Sequence, residues 1–216
     1  LGGASTPKLL PWLASFLVLT IVGERLELAR LGMSAVAAPT LLVLTAGVAV
    51  AVMAALLWPG IGQRLLGVGF LGLTGWLVAH DVARRTVSSS GLPRFMAYCL
   101  LAAQVWLGVA GLTLLASADV SEGAAYDAFV HAVFLGFTMS MIFAHAPVIL
   151  PAVTRVRLPF HRGMYLPWMV LQVSLFLRLA VGDLFGHQLA WEVGGVGNAG
   201  EDLVIGIVDT GIDLDR

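Results

Sequence analysis

Two histidines inside one long apolar stretch are the residues of this sequence best suited to chemistry. His131 and His145 stand fourteen positions apart within the stretch from Ala125 to Leu150. In an α-helix, at about 100° and 1.5 Å per residue, they would lie roughly 40° apart around the axis and about 21 Å apart along it. Neutral imidazole is a good iron ligand, and a b-type haem needs one or two. The spacing therefore predicts two stacked haem b sites, one towards each membrane surface.

Other roles suit the same two histidines. Copper is the alternative metal, because imidazole also binds copper. Without a metal, the pair would serve as a proton relay, or each ring would hydrogen-bond a neighbouring helix. Two more histidines lie at matching depths: His80 ends the third apolar stretch level with His145, and His187 follows the sixth level with His131. We predict both as further haem-binding residues, with exposure to water as the alternative.

Other polar side chains interrupt the apolar stretches. Arg178 lies inside the sixth stretch, where an unpaired charge is costly. It is predicted to neutralise a haem propionate, or to form an ion pair with Asp127 or Asp183. Gln104 and Gln172 are predicted to hydrogen-bond between helices.

The elements that hold these residues are predicted to be membrane-spanning helices. The chain has 216 residues, of which 59% are apolar and 12% charged, and its mean hydropathy is +0.93. A soluble domain usually carries about twice that share of charge, so the lipid bilayer must solvate much of this surface. We predict an all-α bundle of about six transmembrane helices, because six stretches approach the ~20 apolar residues that a span needs. These stretches are Leu9 to Leu31, Ala37 to Trp58, Leu65 to Asp81, Phe95 to Ser117, Ala125 to Leu150 and Met164 to Leu184.

Small residues predict where these helices approach one another closely, since little side-chain volume separates the backbones. The single cysteine, Cys99, lies in an apolar stretch and is predicted to be a small packing residue. The predicted contact glycines are Gly67, Gly69, Gly72 and Gly75 in the third stretch, and Gly108 and Gly111 in the fourth.

The distribution of arginine predicts the orientation in a cell membrane. Cytoplasmic loops carry an excess of Lys and Arg. The loops after the first, third and fifth stretches carry seven arginines, whereas the other side, up to the sixth stretch, has only Lys8 and Arg64. These three loops are predicted to be cytoplasmic, and the residues after the sixth stretch to lie outside. A net charge of −1 provides no basic face, so nucleic acid is not an expected partner.

Several residues of the fifth stretch and the loop after it match a known pattern. They are His131-Ala132, Leu135-Gly136-Phe137, Arg155-Val156 and His161-Arg162-Gly163. In these residues the chain resembles the NnrS family of haem- and copper-containing membrane proteins and, more distantly, the catalytic subunit of haem–copper oxidases. The resemblance implies haem binding, a redox partner, and a role in respiration or nitric-oxide handling. Members of that family have more helices and a Gly-His-Thr-Gly-like loop where this chain has Leu158 to Gly163, so no role is carried over to His161.

The end of the chain differs in composition from the rest. It is Gly-rich from Gly194, then acidic, and the β-branched run from Leu203 to Val208 predicts one buried strand. The segment from Ile205 to Asp215 resembles the surroundings of the catalytic aspartate in subtilisin-like serine proteases. That resemblance implies that Asp209 would orient a catalytic histidine. We therefore divide the chain into a transmembrane helical domain, residues 1–186, and an extramembranous tail, residues 187–216, that would begin a truncated subtilase domain.

Three functions are compatible with these patterns. The first is a haem-binding membrane protein of the respiratory or nitric-oxide-response type. The second is a fragment of a membrane-anchored subtilase, which would be catalytically incomplete here because a triad also needs a histidine base and a serine nucleophile. The third is a transporter or a structural membrane subunit. An optical spectrum separates the first from the third.

Overall fold

The computed structural model of this protein describes residues 6–29, 37–117, 120, 123–155 and 159–180. These residues form eight α-helices, a π-helical segment and a 3₁₀ turn. In chain order the elements are α1 (Thr6–Ala29), α2 (Ala37–Leu57), α3 (Pro59–His80), α4 (Ala83–Thr86), α5 (Leu92–Ala116), α6 (Gly123–Val130), the π segment (His131–Met139), α7 (Ser140–Thr154), the 3₁₀ turn (Arg162–Met164) and α8 (Tyr165–Leu177).

The all-α fold predicted from the sequence is confirmed. In the described part of the chain, five helical stretches are long and apolar enough to cross a membrane: Ala37–Leu57, Pro59–His80, Leu92–Ala116, Gly123–Thr154 and Arg162–Ala180. The first predicted stretch is the 24-residue helix α1. Helices follow from the composition because backbone polar groups in hydrocarbon must bond within their own segment. These features are those of a multi-pass membrane protein.

Helices α3 and α5 form the centre of the bundle. Helix α2 packs on one side of α3, and α5 packs on the other and also contacts the π segment and α7. The fully buried rings Phe70, Phe95, Phe129 and Phe137 lie in this core. Helix α8 is peripheral, since Leu175 is its one buried residue. Leu166, Val170, Val173 and Phe176 are among its exposed apolar side chains, a surface suited to lipid.

Close packing of α3 on α5 depends on two of the predicted glycines. A Cβ added to Gly67 would lie 2.7 Å from the carbonyl oxygen of Gly111, so the backbones are in direct contact. Such an approach is typical of helices that associate in lipid. Gly75 differs, because nothing lies within 4 Å of a Cβ added there. Cys99 is buried, as predicted for a packing residue.

The fifth predicted stretch is one continuous span, but it is not uniformly α-helical. Residues His131–Met139 form a π-helix between α6 and α7, and the Thr138 hydroxyl accordingly donates to the carbonyl oxygen of Val133, five residues earlier. A π-helix turns less per residue than an α-helix, because each hydrogen bond closes a larger ring. The angle of 40° calculated for His131 and His145 on α-helical geometry therefore does not apply.

Residues 181–216 lie outside the described part of the chain. The predicted strand, Asp183, His187 and Asp209 fall in this region.

Candidate functional site

A buried ion pair joins the first and third long helices. Arg25, in the last turns of α1, donates from Nη2 to Oδ1 of Asp81 at 2.7 Å, and Asp81 immediately follows α3. Their side chains are only 12% and 2% exposed. The backbone N–H of Ala83 also donates to Oδ1 of Asp81, at 2.9 Å, and Nε2 of Gln104 donates to Oδ2 at 3.3 Å. Three donors thus hold one carboxylate, as a buried ionised group requires.

His145 completes this arrangement from α7. Its Nε2 lies 3.2 Å from Nη1 of Arg25, and its Nδ1 lies 2.7 Å from the carbonyl oxygen of Met141. A carbonyl only accepts and a guanidinium only donates, so Nδ1 carries the proton and Nε2 accepts from Arg25. The geometry therefore selects the neutral imidazole with its proton on Nδ1.

These four residues, Arg25, Asp81, Gln104 and His145, are called the inner cluster below. Gln104 is fully buried and stands twelve residues into α5, about 18 Å from the start of that helix. Gln104 therefore lies about halfway along a helix that is long and apolar enough to cross a membrane, where ionisable partners are functional candidates.

Sequence reasoning identified His145 and Gln104 but missed the two charges between them. Arg25 and Asp81 stand near the ends of the first and third apolar stretches, where charges ordinarily meet water. The available signal was that these two stretches end on the same predicted side of the membrane with opposite charges.

A pocket of about 400 Å³ borders the inner cluster between α1 and α7. Arg25 and His145 line it together with apolar side chains, among them Ile21, Met141 and Ile142. Within the described part of the chain, Nε of Arg25 is buried and has no hydrogen-bond partner. A guanidinium has five N–H donors, and this one uses two of them. The inner cluster thus has spare donor capacity beside a pocket of ligand size.

The second predicted histidine belongs to a different group of residues. Nδ1 of His131 lies 2.7 Å from the carbonyl oxygen of Asp127 and 3.4 Å from its Oδ1. Arg178 forms a bidentate pair with the same carboxylate, at 2.9 and 3.0 Å. Of the partners predicted for Arg178, Asp127 is confirmed. His131, Asp127 and Arg178 are called the outer cluster below.

The other described histidines stand apart from both clusters. His80 is exposed, stacks on Trp76 with ring centroids 4.9 Å apart, and its Nδ1 lies 3.0 Å from the Trp76 carbonyl oxygen. His161 is exposed, and its Nδ1 accepts from the backbone N–H of Gly163 at 3.0 Å. Among the residues that the structure describes, no group of three or more His, Cys, Asp or Glu side chains is arranged to hold a metal ion.

A third polar contact links helices α5, α7 and α8. Nε1 of Trp106 donates to Oε1 of Gln172 at 2.7 Å, and Nε2 of Gln172 donates to the hydroxyl of Ser140 at 2.9 Å. Gln172 thus hydrogen-bonds between helices, as the sequence predicts. The Trp106 ring also lies directly against Gly136, in the π segment, where an added Cβ would overlap it.

No curated protein and no solved structure matches this chain. A family model matches over residues 1–208, which include every helix described above. The chain belongs to that family, described as "Domain of unknown function (DUF8744)".

Proposed function

We propose that this protein is a haem-binding integral membrane protein of the respiratory or nitric-oxide-response type, with His131 as an axial ligand of haem b. One observation carries the proposal: Nδ1 of His131 donates to the carbonyl oxygen of Asp127. Histidines that bind metal almost always donate their other ring N–H in this way, which fixes the tautomer and leaves Nε2 for the metal. Within the described residues, no hydrogen bond engages Nε2 of His131.

The charges of the outer cluster suit such a group. The side chain of Arg178 is 52% exposed, so its guanidinium is accessible to a haem propionate that competes with Asp127. The Asp127 carboxylate also lies 3.4 Å from Nδ1 of His131, where it can help to orient the ring. When bound, the haem held by His131 would supply an iron able to bind a gas such as nitric oxide.

A second haem at His145 requires one rearrangement. Nε2 of His145 accepts from Arg25, so an iron at that nitrogen would have to displace the guanidinium. Arg25 would then retain Asp81 and have a donor available for a propionate. The proposal therefore depends first on His131. Copper at either histidine is the alternative metal.

An optical spectrum of the purified protein, made with ample haem, tests the proposal. We expect a Soret band that His131→Ala abolishes if the outer site is the sole site, or halves if His145 holds a second haem. His161→Ala is the matched control, because His161 is exposed and lies outside both clusters. Absence of a Soret band in the unmodified protein would overturn the proposal, as would an unchanged spectrum in His131→Ala.

A transport role is the second candidate, and the inner cluster favours it. Ion-paired side chains inside a helix bundle commonly mark solute or proton pathways. Proton uptake into proteoliposomes under an imposed membrane potential tests this role. Transport would be favoured over haem binding if proton uptake is lost in Asp81→Asn and retained in His131→Ala. Equal uptake by the unmodified protein and by empty liposomes would leave the inner cluster with a structural role only.

The protease alternative concerns Asp209, which lies outside the described residues. It predicts cleavage of peptide substrates, which would need a histidine base and a serine nucleophile beside this aspartate. Cleavage that Asp209→Ala abolishes would establish the alternative.

A further inference from the structure

The geometry points to the pocket between α1 and α7 as a binding site for a neutral, lipid-soluble carbonyl compound of the quinone type, whose oxygen accepts a hydrogen bond from Arg25. This inference goes beyond the haem proposal, because it concerns the inner cluster and needs no iron at His131. Three observations carry it.

The first observation is the donor surplus of Arg25. Asp81 takes one of the five guanidinium N–H groups and His145 takes a second, while Nε–H has no partner among the described residues. An unsatisfied donor in a part-buried site costs free energy. Nε is itself buried, but each Nη nitrogen has a second N–H without a partner among the described residues. Because Arg25 lines the adjoining pocket, a ligand there can accept a hydrogen bond from its guanidinium.

The second observation is the charge around the pocket, which selects a neutral acceptor. Asp81 already neutralises Arg25 at 2.7 Å, and Glu24 adds a carboxylate to the lining. The charged side chains Arg25, Asp81 and Glu24 therefore sum to −1. A buried carboxylate or phosphate would lack a compensating cation, and burying such a charge is expensive. A carbonyl oxygen accepts the same hydrogen bond without that cost.

The third observation is the apolar character of the remaining lining. Ile21, Met141 and Ile142 line the pocket, and Ile149 and Leu150 extend this lining along α7. Ile142, Ile149 and Leu150 are also exposed on the outer surface of that helix. A ligand can therefore enter from the lipid and keep its apolar tail there. Ordered water is disfavoured as the occupant, because few polar partners face the space.

Equilibrium binding to the full chain in phosphatidylcholine nanodiscs tests the inference. Three probes with the same ten-carbon tail separate the possible occupants: a decyl benzoquinone, decylbenzene and decanoate. We expect saturable binding of the quinone that is about tenfold or more tighter than that of decylbenzene, which offers no carbonyl acceptor. Decanoate should bind about tenfold or more weakly than the quinone because its charge is costly to bury. Equal affinity for decylbenzene would reduce the site to an apolar cleft. Tighter binding of decanoate would make it an anion site, and either result overturns the inference.

Two variants locate the binding without disturbing the ion pair. Ile142→Trp fills the pocket and should weaken quinone binding about tenfold or more. Val173→Trp places the same ring on the exposed surface of α8 and should have no effect. His131→Ala should also leave quinone affinity unchanged, so failure of the haem proposal and failure of this inference are distinguishable.

Infrared spectroscopy of a ¹³C-labelled quinone tests the contact with Arg25 directly. We expect the carbonyl band to shift to lower wavenumber on binding, and the shift to change in Arg25→Lys, which keeps a cation opposite Asp81. Quinone binding that survives Ile142→Trp, or a carbonyl band that does not shift, would overturn the inference.

Discussion

Arg25 and Asp81, which stand 56 positions apart in the chain, meet inside the bundle with Nη2 of the arginine 2.7 Å from Oδ1 of the aspartate. The contact ties the end of α1 to the end of α3. Each charge is tolerable there because the other is present: a buried pair gains little over a well-packed apolar pair, but a buried charge without its partner is strongly destabilising. The pair therefore makes the positions of α1 and α3 depend on each other.

This interdependence gives a prediction for stability. Asp81→Leu and Arg25→Met should each lower the free energy of unfolding by about 3–5 kcal/mol, since each leaves an uncompensated charge. The double variant should recover much of that loss. Recovery will be incomplete because the N–H of Ala83 and the amide of Gln104 would still lack their acceptor. Unfolding by increasing SDS in mixed micelles measures all three.

The outer cluster supplies the control for this prediction. Arg178 and Asp127 form a comparable bidentate pair, but their side chains are 52% and 30% exposed. Exposed pairs are worth about 0–1 kcal/mol, so Arg178→Met should have a small effect. If Arg178→Met loses as much stability as Arg25→Met, burial does not determine how much these ion pairs contribute.

A second prediction concerns the contact between the π segment and α5. Gly136→Ala places a methyl group where the Trp106 ring stands, so either the ring or the helix must move. We expect a loss of about 1–3 kcal/mol, as for other overpacked sites. Trp106→Leu should relieve part of that loss when it is combined with Gly136→Ala. Gly75→Ala is the matched control, because its new methyl group meets nothing within 4 Å and alanine favours helix by up to about 1 kcal/mol.

How much of the fold can be predicted from the sequence depends on whether the evidence for a feature lies in its own residues. An apolar run such as Ala37 to Trp58 carries its own evidence, because its length and composition match the bilayer whatever its neighbours are. The pairing of Arg25 with Asp81 has no local signal, since it depends on how α1 packs against α3. The π segment likewise has no signal in composition, because its contact with Trp106 depends on another helix. For this reason the sequence identifies the two histidines but does not predict the π-helical geometry between them.

A third prediction concerns Gln172, which bridges Trp106 and Ser140. Gln172→Leu leaves the indole N–H and the serine hydroxyl without this partner. Hydrogen bonds between membrane helices are worth about 0.6–2 kcal/mol, so we expect a loss of that order. Ser174→Ala, in the same helix, should have a smaller effect, because the Ser174 hydroxyl donates only to the carbonyl of Leu171 in its own helix. Equal losses of stability in the two variants would show that the interhelical bridge does not contribute measurably to the free energy of unfolding.

A fourth prediction tests the orientation inferred from the arginines. Cysteines introduced at Ser89 and Ser121 should react differently with a membrane-impermeant thiol reagent applied from outside. The variant with cysteine at Ser121 should be labelled in intact cells, and the variant at Ser89 should be labelled only after the membrane is opened. The native Cys99 is buried and should contribute little background. The reverse pattern would invert the topology.

The last prediction follows from the position of Asp127 beside the proposed haem ligand. Its Oδ1 lies 3.4 Å from Nδ1 of His131, so its negative charge should stabilise the more positive, oxidised iron. Asp127→Asn keeps the backbone carbonyl that orients the ring but removes that charge. We therefore expect it to retain the Soret band and to raise the reduction potential in a spectroelectrochemical titration, whereas His131→Ala removes the band. Glu24→Gln removes a carboxylate at the inner pocket and should leave the potential of the outer site unchanged. If the reduction potential is unaltered in Asp127→Asn, Asp127 does not influence the iron, and its role is limited to the ion pair with Arg178.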